Sequence, residues 1–335
     1  SRSLNDKRFA AEVEDHPLDY ATFEGQIPEG NYGAGSVIIW DRGYYQRLND
    51  FAEGFRKGKL LFELYGHKLR GRWTLVRMKD GDNLKNWLFI KERDAWSEDG
   101  APYPDTSVVS GLAVHELADT RKIARNIARR LARTPGAQPV TGLVSCAPML
   151  ATSGESFDRP GWLFEFKYDG YRLLLERNGA SVTLRSRNGH DLSAGFPEIV
   201  DSARRLPLDR FLLDGELVRH NDRGAPDFGL LQQRAKLSDQ LQVARAAIEA
   251  PCTCYVFDAP QLGHFDLRSV SLEKRKQHLE RLLPDYGVLR FSAHAKRYGN
   301  KLYNTARQLG LEGIVAKRAD SSYRSGRSSS WIKVR

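Results

Sequence analysis

Between residues 116 and 133 apolar side chains return every four positions, at Ile123, Ile127 and Leu131. Arg121, Lys122, Arg125, Arg129, Arg130 and Arg133 fill most of the remainder. That period predicts an amphipathic helix with a basic face, ended by Thr134-Pro135-Gly136-Ala137. On its N-terminal side the pattern shortens to alternating runs at 36–40, 59–64, 73–77 and 87–91, parted by glycine-rich turns. These predict the strands of a small β-barrel. On its C-terminal side, 171–176 and 181–185 predict a hairpin turned at Asn178-Gly179. The stretches 193–205, 228–245 and 272–283 predict helices. The pattern describes an α+β chain of two modules, with the helix between them.

Composition narrows this picture. With 335 residues, 41% hydrophobic and 10% aromatic, the chain can bury two cores, so disorder is not expected. A net charge of +10 fits attraction to a polyanion, although a soluble basic protein would carry the same sum. For the basic helix, an amphipathic linker docked by its apolar stripe is the favoured reading. A DNA-backbone contact or a hinge is the other. There is no apolar run of about 18 residues and no charged-then-apolar leader, so neither a membrane span nor secretion is implied. Cys146, Cys252 and Cys254 have neither metal-ligand nor disulfide-framework spacing, which suits thiols in a reducing cytoplasm.

The densest chemistry lies in Phe166-Lys167-Tyr168-Asp169-Gly170-Tyr171-Arg172. A free lysine titrates near about 10.4 and attacks nothing at neutral pH unless its surroundings favour the amine. Here a carboxylate, a glycine that would let backbone approach phosphate, and a guanidinium follow within five residues. Alone, the segment also reads as a strand ending in a polar turn. Compatible pieces follow in order: Ser186-Arg187-Asn188-Gly189, Leu213-Asp214-Gly215-Glu216-Leu217, Tyr255-Val256-Phe257-Asp258, a segment from Leu311 to Arg318, and Trp331-Ile332-Lys333-Val334-Arg335. Asp169 and Glu312 can hold Mg²⁺ together with phosphate oxygens. Lys317, Lys333 and Arg187 can pair with phosphates. Glu216, after a flexible glycine, suits the hydroxyls of a ribose. Phe257 alone reads as a core aromatic; in this series it offers a face for a purine.

These motifs, over 146–335, make the chain resemble the covalent nucleotidyltransferases, and most closely the ATP-dependent DNA ligases. The resemblance implies an ATP-grasp-like antiparallel-sheet nucleotidyltransferase domain of the DNA ligase type over 144–335, using ATP with Mg²⁺ or Mn²⁺. It implies Lys167 as the site of the adenylate, Glu165 at the adenine, and Arg172 near the ribose or 5′-phosphate. Arg187 would meet the 5′-phosphate of a nicked strand, Glu216 the ribose, and Phe257 the base. Glu312 and Asp169 would bind metal, with Lys317 and Lys333 on the α-phosphate. Arg335 stands where a second lysine is common, which keeps the charge but changes a point cation to a planar fork. The family's OB-fold domain would begin where the chain stops, so incomplete nick sealing is expected.

The front module carries a second resemblance. Val13-Glu14-Asp15-His16-Pro17-Leu18-Asp19-Tyr20, the segment from Phe23 to Gly35, Leu69-Arg70-Gly71-Arg72-Trp73 and Ile90-Lys91-Glu92-Arg93-Asp94 resemble the 3′-phosphoesterase domain of bacterial end-joining ligases. Together the two modules resemble the ligase D family, multifunctional DNA repair enzymes of non-homologous end joining. The implied organisation is a partial phosphoesterase-like β-barrel over 1–100, a linker with the basic helix over 101–143, and the adenylation domain. His16 and Tyr20 are what remains of that family's active site, so this module is expected to be impaired. The resemblance further implies DNA ends or nicks as substrate, the end-binding protein Ku as partner, no membrane, and a bacterial, nucleoid-associated cytoplasmic place. Two other classes share parts of the pattern: a capping-type guanylyltransferase or RNA ligase, and a non-catalytic DNA-end-binding fragment.

Overall fold

The computed structural model describes residues 2–31, 33–79, 85–99 and 102–335; Tyr32, inside the front motif, lies outside them. The chain forms two compact units, one of residues 1–108 with 112–118 and one of 109–111 with 119–335.

The front unit is built on a five-stranded antiparallel sheet. Its strands are β1 (Lys7–Ala11), β4 (Gly43–Arg47), β5 (Lys59–Gly66), β6 (Arg70–Arg77) and β7 (Asn86–Lys91), in the order β1-β7-β6-β5-β4. A separate ribbon pairs β2 (Gly25–Ile27) with β3 (Gly35–Val37), and α1 (Phe51–Lys57) follows β4. Trp73 stacks on Phe89 at 4.5 Å, and Phe62, Trp73 and Trp87 are buried. The expected barrel is not closed: among the described residues β1 and β4 are open edges. Strand β4 and helix α1 were not expected. The first is an edge strand exposed at every position, so it shows no apolar alternation.

The larger unit is α+β with two sheets. One, in the order β10-β17-β18-β9, joins β9 (Met149–Ser153), β10 (Trp162–Lys167), β17 (Gly313–Arg318) and β18 (Gly326–Val334). The other runs β12-β11-β13-β14-β15-β8, from β12 (Ser181–Ser186), β11 (Tyr171–Asn178) and β13 (Arg210–Val218) to β14 (Thr253–Leu262), β15 (Phe265–Asp266) and β8 (Gln138–Pro139). Strand β16 (Leu289–Phe291) pairs beside β14. All pairings are antiparallel except β9 on β18 and β16 on β14. The hairpin β11–β12 turns at Gly179, whose φ of 62° favours glycine.

The helices of this unit are α2 (Thr120–Ala132), α3 (Pro197–Arg205), α4 (Phe228–Ala235), α5 (Gln240–Glu249), α6 (Leu272–Glu280) and α7 (Gly299–Gln308). The single helix expected over 228–245 is two. Asp239 accepts the N–H of Gln242 at 2.9 Å and so starts α5 anew. The basic helix is shorter than expected, because Asp119 caps it through the N–H of Lys122 and residues 114–119 form a 3₁₀ turn. Its Ile127 and Leu131 are buried with Leu173, Leu175, Leu213 and Leu217 in the main core, as expected of a helix docked by its apolar stripe.

Candidate active site

Strand alternation sorts the side chains. On the four-stranded sheet, Phe164, Ile314, Ala316 and Val334 face a small core that includes Ala306 of α7. The intervening residues Glu165, Lys167, Val315, Lys317, Trp331 and Lys333 line a cavity on the opposite face. On the other sheet, Leu173, Leu213 and Leu217 enter the main core, while Arg172 and its cross-strand partner Glu216 turn to the same cavity. Lys167 ends β10 in one sheet and Tyr171 opens β11 in the other, so the Lys-x-Asp-Gly segment is the crossing between the two sheets. The cavity between them holds about 220 Å³.

The structure brings Glu165, Lys167, Arg172, Arg187, Glu216, Phe257, Lys317 and Lys333 onto one wall set. Glu312 joins them through a direct ion pair with the Lys167 ammonium, and its other oxygen lies 2.7 Å from the Arg335 guanidinium. Asp169 is not brought in: it is exposed in the crossing and does not line the cavity. His16 and Tyr20 lie in the front unit, both exposed, with their rings edge to face at 5.3 Å. Among the described residues, no group of three or more His, Cys, Asp or Glu is gathered to hold a metal ion.

Two glycines have a different cause from the one expected. A Cβ on Gly170 would overlap the Leu217 carbonyl oxygen, so this glycine lets the crossing pass against β13. At Gly215 a Cβ would stand 2.8 Å from Cys254 Sγ and 2.9 Å from the Tyr255 carbonyl oxygen. Gly215 therefore serves close strand packing, not flexibility.

The electrostatics divide into satisfied and unsatisfied groups. Glu165, 2% exposed, lies between Lys276 at 2.9 Å and Lys317 at 3.0 Å, and Ser292 Oγ donates to it at 3.0 Å. Burial opposes its ionisation, but the charges of Lys276 and Lys317 outweigh it and hold the carboxyl below the usual range. Lys317 is pushed down to about 8 by burial, against the pull of Glu165. Its ammonium rests over Phe257 at 4.1 Å and Trp331 at 4.3 Å. Arg172 gives Nε and a terminal nitrogen to Asp214 at 2.5 and 2.7 Å and stacks over Phe257 at 4.5 Å. Tyr323 donates to the same carboxylate at 2.6 Å.

Glu216, in contrast, has no hydrogen bond or ion pair among the described residues. Burial raises its pKa to about 7, against the charges of Arg172 and Lys167. Lys333 and Arg187 likewise have no acid partner among the described residues, and the buried indole N–H of Trp331 has no acceptor. A pocket with one waiting carboxylate, waiting cations and flat rings fits a ligand that carries hydroxyls, phosphates and an aromatic base.

Sequence reasoning missed Asp214, Tyr323, Arg327 and Lys276. Only the last had a usable signal. Leu272, Arg275, Lys276 and Leu279 occupy the i, i+3, i+4, i+7 stripe of α6, where cations are expected only if something buried pairs with them.

Residues 148–335 match the ATP dependent DNA ligase domain family, and residues 1–77 the DNA ligase D 3′-phosphoesterase domain family. The chain is 39% identical to the multifunctional non-homologous end joining protein LigD of Pseudomonas aeruginosa, covering 98% of this chain and 39% of that protein. It is 32% identical to the multifunctional non-homologous end joining DNA repair protein LigD of Mycobacterium tuberculosis, covering 97% of this chain and 35% of that protein. The chain thus spans well under half the length of these relatives. A solved structure of mycobacterial DNA ligase D complexed with ATP and MES superposes with a TM-score of 0.47 at 31% identity, over 57% of this chain and 60% of that one.

Proposed function

The chain belongs to the ATP-dependent DNA ligase family, and from that premise we propose that it is an ATP-dependent ligase of bacterial non-homologous end joining that carries AMP on Lys167. The observation that carries this reading is the pairing of Lys167 with Glu312 beside a cavity where, among the described residues, Glu216 has no hydrogen-bond or ion-pair partner and Lys333 and Arg187 have no acid partner.

In the first step Lys167 Nζ parts from Glu312 and attacks the α-phosphorus of ATP. The ammonium gives up one proton to solvent to become the attacking amine, a P–N bond forms as the P–O bond to pyrophosphate breaks, and the new phosphoramidate nitrogen sheds a second proton to solvent. Arg335, the second cation on Glu312, is set to keep that carboxylate in place as Nζ leaves. Lys317 and Lys333 meet the charge on the α-phosphate, Glu216 accepts from the ribose hydroxyls, and Phe257 and Glu165 frame the base. Arg172, locked by Asp214, holds the ring of Phe257 from one side. Of the two carboxylates expected to bind Mg²⁺, Glu312 stands beside Lys167 and would hold it, while Asp169 stays outside the cavity; the ion would supply withdrawal of charge from the phosphoryl group. AMP then passes to the 5′-phosphate of a DNA break, which Arg187 would position, and the 3′-hydroxyl displaces AMP. Dividing one displacement into easier ones is the gain from the covalent intermediate.

The domain reading is a phosphoesterase-like module over 1–100 bearing His16 and Tyr20, a linker over 101–143, and the adenylation domain over 144–335. Partnership with Ku and a nucleoid-associated place in the bacterial cytoplasm follow from the same proposal; among the described residues no helix is long and apolar enough to cross a membrane.

Incubation with α-labelled ATP or GTP tests the reading. It expects stable label from ATP alone. Label from GTP would favour a capping-type transferase, and no label with any divalent ion would leave a DNA-end-binding fragment.

A further inference from the structure

The basic helix does more in the structure than dock. Its apolar stripe, Ile123, Ala124, Ile127 and Leu131, goes to the main core. That core lies on the face of the larger sheet occupied by Leu173 and Leu213, opposite the face that Arg172 and Glu216 turn to the cavity. The other side of the helix carries Arg121, Lys122, Arg125, Arg129, Arg130 and Arg133, every one of them exposed. Arg121, Arg125, Arg129 and Arg133 recur at four-residue intervals and form one ridge roughly 18 Å long, at about 1.5 Å per residue.

None of these six side chains pairs with a carboxylate among the described residues. Two exposed helical cations elsewhere in the chain do, Arg245 with Glu249 at 2.8 Å and Lys57 with Glu53 at 2.6 Å, and no other helix gathers six cations on one side without a paired carboxylate among the described residues. Like charges four apart on a helix repel, and among the described residues no paired carboxylate offsets them. The field extends beyond the helix. Thr134 Oγ1, just past its end, lies 2.8 Å from His278 Nε2 on α6. Burial, and then the charges of Arg281, Arg130 and Lys274, push the His278 pKa down.

We propose that this ridge binds the sugar-phosphate backbone of duplex DNA, independently of sequence, on the face of the sheet away from the nucleotide cavity. A ridge of that length spans about half a turn of B-DNA, whose two strands present one charge per roughly 1.7 Å of axis. Guanidinium groups suit phosphate oxygens and read no base from this position. The inference rests on DNA being the substrate of the proposed ligase, but it does not use the cavity.

The test is fluorescence anisotropy of a labelled blunt duplex with the full chain across a salt series, for wild type, Arg125→Gln/Arg129→Gln and Arg125→Lys/Arg129→Lys. Each phosphate contact contributes about 0.9 to the slope of log K against log salt. The Gln pair is expected to lower that slope by about 2 and to weaken binding at low salt, while the Lys pair keeps the wild-type slope. The yield of lysyl-adenylate should be unchanged in both. An unchanged slope in the Gln pair overturns the proposal, as does an equal loss in the Lys pair or an absence of duplex binding by wild type at low salt. If wild type forms no adenylate but the slope still drops, the ligase reading fails and the ridge stands. If adenylate forms and the slope does not move, only the ridge fails.

Discussion

Arg172 and Glu216 are direct cross-strand partners on β11 and β13, yet Arg172 spends its guanidinium on Asp214 and leaves the Glu216 carboxylate to the cavity. The pair thus presents an immobilised cation and a waiting acceptor side by side.

Nucleotide affinity should follow the protonation of that acceptor. Burial raises Glu216 to about 7, so the ionised form that accepts from ribose hydroxyls is gained as pH passes that value. Lys317, pushed down to about 8 by burial, begins to lose its charge just above. ATP binding followed by calorimetry should therefore peak between about 7 and about 8 and fall on both sides. Glu216→Gln should abolish the acid limb and weaken binding roughly tenfold, as expected for the loss of a charge-assisted hydrogen bond.

The same residue has a stability signature of the opposite sense. Its folded pKa is above the ordinary value, so the folded state binds more protons than the unfolded chain between about 4.5 and about 7. The contribution is fully present below that window and is lost as pH rises through it. Glu216→Gln should melt at a higher temperature than wild type at pH 8 and at the same temperature at pH 4. Equal differences at both pH values would contradict this.

Lys276 is fully buried and shares Glu165 with Lys317. Removing one partner of a buried ion pair leaves charge uncompensated and costs about 3 kcal/mol. Lys276→Met should lower the denaturant midpoint accordingly, and Glu165→Gln/Lys276→Met should recover part of the loss. A double variant that is simply additive would show that the two groups are not coupled.

Gly313 follows Glu312 and is the register partner of Lys167. Its φ of 141° and the Val334 carbonyl oxygen, which a Cβ would overlap, leave no room for a side chain. Gly313→Ala should destabilise the domain by about 1–3 kcal/mol through overpacking and slow adenylate formation at least tenfold. Quench-flow with labelled ATP and a guanidinium melt read the two effects separately.

Much of the site was legible because nucleotidyl transfer draws on few residue types: Lys167, Arg187, Glu216, Lys317 and Lys333 were read from order and chemistry, Glu165 was implied by the family resemblance alone, and all six reach the cavity. What escaped depends on the third dimension. Asp214 holds Arg172 and is itself held by the hydroxyl of Tyr323, 109 residues further along, and no local period encodes that. The glycines were noticed, but their reason lay in a neighbouring strand's carbonyl groups. The front sheet was misjudged as a closed barrel because alternation predicts strands and says nothing about which edges pair.

The most direct test of the account is the intact mass of the chain after exposure to ATP and Mg²⁺, with Lys167→Ala beside it. A gain of one adenylate in the wild type, absent from the variant, is the predicted result. A wild type that gains nothing, or a variant that gains the same adenylate, would contradict the assignment of Lys167 as the residue that carries AMP.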